Sequence, residues 1–236
     1  MYENLQRQET KTLSQLRTSV KIRAGLNSTG TSVDLTSEVL NEIINDAVYE
    51  GWDLITGKWL DYYTKASTSP MILGEDSYQV PSDFYKLRTL WIQDGDRYLR
   101  MNPADLDAAH AYTGQAVGAL GTYRYRIMGR DLVIMPVPST TNTLKLYYIP
   151  IQPELVNDSD SITLDVPIEL KLILAIAWRD VLDRQNLDPS PAIAKVTTYE
   201  ARLRTAADGR DAGEPFYLSP FGPNRYDDGG DGGDIW

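Results

Sequence analysis

Between residues 78 and 150 the apolar residues of this chain recur at every second position, whereas on either side of that block they recur at every third and fourth. A period of two suits a sheet with one buried face, and the longer period suits an amphipathic helix. The chain therefore reads as an α+β protein: a helical bundle with an inserted antiparallel β-sheet domain and an extended C-terminal arm. The expected divisions are 1–66 for the N-terminal helices, 67–153 for the inserted sheet, 154–208 for the closing helix pair and 209–236 for the arm. Length alone, at 236 residues, admits one large domain or two small ones.

Composition removes several classes of function. The chain has no cysteine, which excludes disulfides, zinc–thiolate sites and thiol catalysis. Its single histidine, His110, lies in Asp107-Ala108-Ala109-His110-Ala111-Tyr112, and no Gly-x-Ser-x-Gly elbow accompanies it. It reads as an exposed helix-end residue rather than a catalytic base. No catalytic residue, cofactor or metal site is expected. No apolar run approaches the ~20 residues that span a bilayer. The first residues also lack the charged-then-apolar order of a signal peptide, so a soluble protein made in the cytoplasm is expected, with no membrane partner. Fifteen tyrosines and five tryptophans against three phenylalanines suit half-exposed sheets and subunit contacts, and also core positions with a polar tip. The net charge of -10 is unevenly spread, because residues 1–30 carry five basic and two acidic groups. Such a balance opposes general nucleic-acid binding, which needs a basic surface to displace counterions.

Along the chain, a first helix is expected from Glu9 to Ala24, with Leu13, Leu16 and Val20 on its apolar stripe and Gly25 as its stop. A loop covers Asn27 to Ser32. A second helix starts at the cap Thr36 and buries Val39, Leu40, Ile43, Ile44, Ala47 and Val48, with Trp52, Ile55 and Trp59 continuing the face. Strands are expected at 77–80, 87–93, 97–100, 123–127, 132–135 and 143–149, with Asp94-Gly95-Asp96 and Met128-Gly129-Arg130-Asp131 as turns. Asn102 to Ala108 reads as a short inserted helix, Asn102 capping it and Pro103 in its first turn. After Pro153 the pattern turns helical again. One helix carries Leu170, Ile173, Leu174, Ala177, Trp178, Val181 and Leu182 inward; a second, from Ala192 to Ala207, carries Ile193, Val196, Tyr199 and Leu203. Both should close back on the helix that starts at Thr36.

The remaining motifs are weak. The run Asp227 to Asp234 has the alternation of a calcium loop but lacks the closing bidentate glutamate. Gly114, Gly118 and Gly121 precede a strand, so they do not form a phosphate cradle at a helix start. The carboxylate pairs Asp94/Asp96, Asp105/Asp107 and Asp158/Asp160 sit at turns or helix starts, where solvated caps are the default. Tyr123-Arg124-Tyr125-Arg126 places two arginines on one face of a strand, which reads as a solvated cationic face before single-stranded nucleic acid is invoked. Residues 209–236, rich in Gly, Pro and Asp, cannot bury a core alone; they are either a frayed tail or an arm that orders on a partner. In the second case Phe216, Tyr217, Leu218, Phe221, Tyr226, Ile235 and Trp236 are its anchors.

Four stretches in this order resemble the head-to-tail adaptor (connector, head-completion) proteins of tailed bacteriophages, in the version with a β-sheet inserted into the bundle. They are Leu13 to Val20, Leu35 to Ala47, Tyr78-Gln79-Val80-Pro81-Ser82-Asp83-Phe84, and Gly129-Arg130-Asp131-Leu132-Val133-Ile134-Met135-Pro136-Val137-Pro138, followed by the tyrosine-rich strand and the closing helices. They span most of residues 10–207, with the tail after Gly209 outside the match. The resemblance implies a structural virion protein with no active site, forming a homo-oligomeric ring, usually twelvefold, below the portal protein. Such a ring extends the DNA channel, and DNA passes through it without sequence-specific binding. It also offers a surface to tail or nozzle proteins, and many relatives dock on the portal through a C-terminal segment. Two other readings compete. One is a nucleic-acid-binding packaging or regulatory protein using Arg7, Lys11, Arg17, Lys21 and Arg23, and the other is a tail-tube or tail-interface protein. An unrecognised hydrolase is the weakest reading.

Overall fold

The computed structural model describes residues 9–26, 35–58, 61–105 and 123–210. Their order is β1 (Glu9–Thr12), α1 (Leu13–Arg23), α2 (Ser37–Lys58), β2 (Lys65–Pro70), β3 (Ser77–Gln79), β4 (Phe84–Asp94), β5 (Arg97–Arg100) and β6 (Asn102–Pro103). They continue with β7 (Arg124–Met128), β8 (Asp131–Met135), β9 (Thr143–Pro150), β10 (Ser161–Leu164), α3 (Pro167–Arg184) and α4 (Ser190–Arg210). The chain is α+β, as its periodicity predicts.

Helix boundaries follow from capping. At α1, Thr12 accepts from the Gln15 N–H while the Gln15 side chain accepts from the Thr12 N–H, satisfying two groups that helix geometry leaves free. Gly25 ends it in the left-handed region at φ 70, a backbone conformation that other residues adopt only with strain. Thr36 caps α2 through Val39 N–H at 3.4 Å. Hydrogen bonds from its own backbone N–H and from Thr36 hold the Glu38 carboxyl below the usual range. Pro167 opens α3, where a missing N–H costs nothing.

α3 is buried on nearly all sides and runs between α2 and α4, with Leu170, Leu172, Ile173, Leu174, Ile176 and Val181 in the core. Burial of aliphatic side chains at about 1.5–3 kcal/mol each makes this helix the centre of the bundle. The same core takes in Leu13, Leu16 and Val20 from α1, Ile44, Trp52 and Ile55 from α2, and Ile162 and Leu164 from β10. A second core lies between two four-stranded sheets, ordered β2-β9-β4-β5 and β3-β8-β7-β6. Leu90, Ile92, Leu144, Leu146 and Tyr148 from the first sheet meet Tyr78, Leu132 and Ile134 from the second, with Tyr123 just before β7. Pairing is antiparallel except between β6 and β7.

Several expectations are corrected. Glu9–Thr12 is a strand paired with β10, not the first turn of a helix: Thr12 is the cap, so the helix cannot begin before it. Lys65–Pro70, assigned no strand from the sequence, pairs with β9 along its whole length. Ser161–Leu164 is likewise a strand inside the stretch expected to turn helical. Asn102–Pro103 does not start a helix but pairs with Arg124–Tyr125. Ile193 points outward, 47% exposed, and Ala192 takes the inward position instead. Trp178 is only half-buried. His110, Trp59 and the loop from Asn27 lie outside the described residues. No helix among the described residues is long and apolar enough to cross a membrane.

Candidate assembly surfaces

For the assembly role the resemblance implies, the side chains that matter are those that join modules and those left uncovered. The phrase from Tyr78 to Phe84 does the first. It links β3 of one sheet to β4 of the other, turning at Pro81, whose carbonyl accepts from Phe84 N–H at 3.0 Å. Val80 N–H donates to the Arg130 carbonyl, and Arg130 Nη2 returns a bond to the Ser82 carbonyl at 3.1 Å. The Asp83 carboxylate then accepts from Tyr148 at 2.7 Å and from Lys65 at 3.1 Å, while its carbonyl accepts from Ile151 N–H at 2.7 Å. Asp83 therefore ties β2, β4 and the end of β9 together. The Tyr148 hydroxyl and, after it, Lys65 hold the Asp83 carboxyl below the carboxylate range. Burial and, after it, the Asp83 charge push the Tyr148 hydroxyl up to about 12.

The sheets are fastened to the bundle by polar bonds at its edge. Trp52 Nε1 donates to the Pro150 carbonyl at 2.9 Å, and Tyr85 donates to Asp53 at 2.7 Å beside the Lys86–Asp53 ion pair. Arg88 grips Asp61 through Nε and Nη2 at 3.1 and 2.7 Å. Tyr63 donates to Glu169 at 2.7 Å, and Glu169 also accepts from Val166 N–H at the start of α3. Burial, then the Glu169 charge, raises the Tyr63 hydroxyl well above its ordinary value.

Three uncovered regions stand out. The outer face of the first sheet carries the cross-strand row Lys145, Trp91 and Arg100, with Tyr98 and Tyr147 beside it. The Lys145 ammonium lies 5.5 Å from the Tyr98 ring and 5.4 Å from the Tyr147 ring. At the end of the sheets, Ile72, Leu73 and Val137 form an exposed apolar tip, where Gly74 N–H reaches the Pro138 carbonyl. On the bundle, the outward faces of α2 and α4 are open.

The cations of the nucleic-acid reading are not a free cluster. Arg17 is ion-paired with Asp158, and Lys11 donates to Ser19 at 3.2 Å. Lys21 and Arg23 flank the exposed Ile22, and Arg7 lies outside the described residues. So do all the arm residues, Phe216, Tyr217, Leu218, Phe221, Tyr226, Ile235 and Trp236. Arg124 and Arg126 are half-buried, Arg126 donating to the Ala104 carbonyl at 3.3 Å, while Tyr123 on the opposite face is in the sandwich core. The structural role of Asp83, Asn45 and Trp52 went unmarked in the sequence; for Asp83 the signal was its place in the Tyr78–Phe84 phrase.

No curated protein matches the chain. The family described as SU10 adaptor protein does, over residues 11–225. The match takes in the bundle, both sheets and the arm as far as Arg225. It corrects the expectation that everything after Gly209 falls outside the resemblance. With nearly the whole length covered, the chain belongs to the SU10 adaptor protein family of phage head-to-tail adaptors, with a structural role and a place in the virion.

Proposed function

We propose that this chain forms a ring, twelvefold by the family resemblance, beneath the portal protein. There it extends the DNA channel and presents a docking surface to tail or nozzle proteins. The observation that carries the reading is the family match across residues 11–225, which joins bundle, sheets and the start of the arm in one unit. A net charge of -10 supports a channel wall that repels DNA and lets it slide, whereas a basic wall would hold it. The portal contact is assigned to the arm, with Phe216, Tyr217, Leu218, Phe221, Tyr226, Ile235 and Trp236 as its anchors. The exposed tip at Ile72, Leu73 and Val137 suits a tail-side contact.

The test is cryo-electron microscopy of the full chain mixed with the portal protein of the same genome. A ring stacked on the portal, with residues 209–236 against it, is the expected result. No association with an intact portal overturns the reading in favour of a tail-side position. Truncation after Ala207 should abolish portal binding and leave the fold intact; unchanged binding removes the role given to the arm.

A further inference from the structure

The bundle leaves two long helix faces open, and their charges are opposite. α2 and α4 both pack on α3, and each leaves the face turned away from that contact open. Along α2, Glu42, Asp46 and Tyr49 are exposed at helical spacing. With residues 154–156 they border a groove of about 320 Å³, in which Tyr49 and Val156 remain 38% and 65% exposed. Asn41 lines the same groove, and its Oδ1 is shielded from solvent without a hydrogen-bond partner. Glu50 and Asp53 are neutralised by Arg179 and Lys86, but among the described residues Glu42 and Asp46 have no ion pair.

The face of α4 is its complement. Ala194, Thr198, Ala201 and Thr205 form an exposed stripe of small side chains at the a/d spacing of a helix seam. Thr198 donates its hydroxyl to the Ala194 carbonyl at 2.7 Å and Thr205 to the Ala201 carbonyl at 3.1 Å. With their hydroxyls bonded to the helix's own backbone, these threonines offer no free donor, and the stripe is a row of small side chains against which a larger one can pack. Lys195, Arg202 and Arg204 border it, exposed, with no ion pair among the described residues.

We propose that α2 of one copy packs along α4 of the next, with Tyr49 seated against the small-residue row and Glu42 and Asp46 facing Lys195 and Arg202. The occupant is a second copy because each face supplies what the other lacks. Packing α4 on α4 would oppose cations, and packing α2 on α2 would oppose carboxylates, so a two-fold contact through either face is disfavoured. A contact between two different faces of one chain is heterologous and repeats head to tail, which is the symmetry that closes a ring. The inference rests on the ring reading above and deepens it by naming the lateral interface.

The test reverses the charges. Full-length E42R/D46R and K195E/R202E proteins, checked for fold by circular dichroism, are each mixed with the portal protein and the assembled rings counted by electron microscopy. Each half-swap should lower ring assembly by about tenfold or more, and the four-substitution chain should recover it to within about threefold of the natural protein. Half-swaps that assemble normally, or folded half-swaps with no recovery on combination, overturn the interface while leaving the ring reading intact. A natural protein that makes no ring on the portal overturns both. Because the chain has no cysteine of its own, the chain carrying both Tyr49→Cys and Ala201→Cys gives an independent readout. A short bis-maleimide should yield a ladder of covalent oligomers from its rings, and rings without a ladder exclude the contact.

Discussion

The side-chain amide of Asn45 exchanges two hydrogen bonds with the backbone of Leu155, Nδ2 donating to the carbonyl at 3.0 Å and Oδ1 accepting from the N–H at 2.9 Å. The pair is buried and joins positions 110 residues apart. It pins the chain leaving β9 to the middle of α2, and with the Trp52–Pro150 bond it fixes where the sheets hang from the bundle. Asn45→Leu leaves both backbone groups buried without partners. The expected loss is about 2–3 kcal/mol, or roughly 5–10 °C in Tm for a chain of this size. Thermal melting followed by circular dichroism checks it, and an unchanged Tm would show that water or relaxation replaces both bonds.

Gly51 is required by close approach, not by backbone angle. A Cβ there would lie 2.6 Å from Ile173 Cγ1, in the centre of the α2–α3 contact. Helix propensity favours Gly51→Ala by about 1 kcal/mol, but overpacking a fully buried isoleucine costs about 1–3 kcal/mol and should win. Urea titrations of Gly51→Ala, Ile173→Ala and the double variant decide the matter. The double variant should lose less than the sum of the singles, and simple additivity would refute the steric account.

The Tyr148–Asp83 pair predicts a pH window at each end. The Tyr148 hydroxyl is pushed up to about 12 in the folded chain, above its ordinary value. The stability it contributes is complete below the unfolded value and is lost as pH rises from the unfolded value through the folded one. Asp83 is shifted the other way, so its contribution is complete above the unfolded carboxylate pKa and is lost as pH falls through the folded value. Tyr148→Phe should therefore flatten the alkaline limb of a stability–pH profile measured by urea unfolding. An alkaline limb identical in the variant would assign that loss to other tyrosines.

Tyr63→Phe removes one donor to the buried Glu169 carboxylate and leaves the ring against Trp52, whose centroid is 4.7 Å away. Loss of a hydrogen bond to a charged group costs about 1.5–3 kcal/mol. Tyr63→Leu should lose more, because the ring contact goes too. Equal losses in the two variants would mean that the hydroxyl alone carries the effect.

Much of this architecture is written in local pattern. The helix from Ser37 to Lys58 follows from Thr36 and a 3.6-residue apolar period, and the hairpins at Gly95 and Gly129 follow from turn chemistry at positive φ. The Asp83 junction lies in a stretch the sequence singles out, but its partners Tyr148 and Lys65 are remote in the chain and carry no mark of the contact. Lys65–Pro70 and Glu9–Thr12 are polar strands, the first largely solvent-facing and the second half-buried, so neither shows an apolar alternation. Their backbones are ordered by hydrogen bonds to β9 and β10, supplied by residues far along the chain.

By itself, then, the sequence determined the class of elements, the order of helix, sheet and helix, and the adaptor family. These depend on side-chain periodicity and turn residues, which act over a few positions. Only the tertiary structure decided which polar segments become strands, that Ile193 faces out while Ala192 faces in, and that Arg17 is bound to Asp158. It alone also left a carboxylate-bearing face on α2 and a cation-bearing face on α4 open. The reason is physical: backbone pairing, burial and charge pairing are settled by neighbours in space, and those neighbours come from distant parts of the chain.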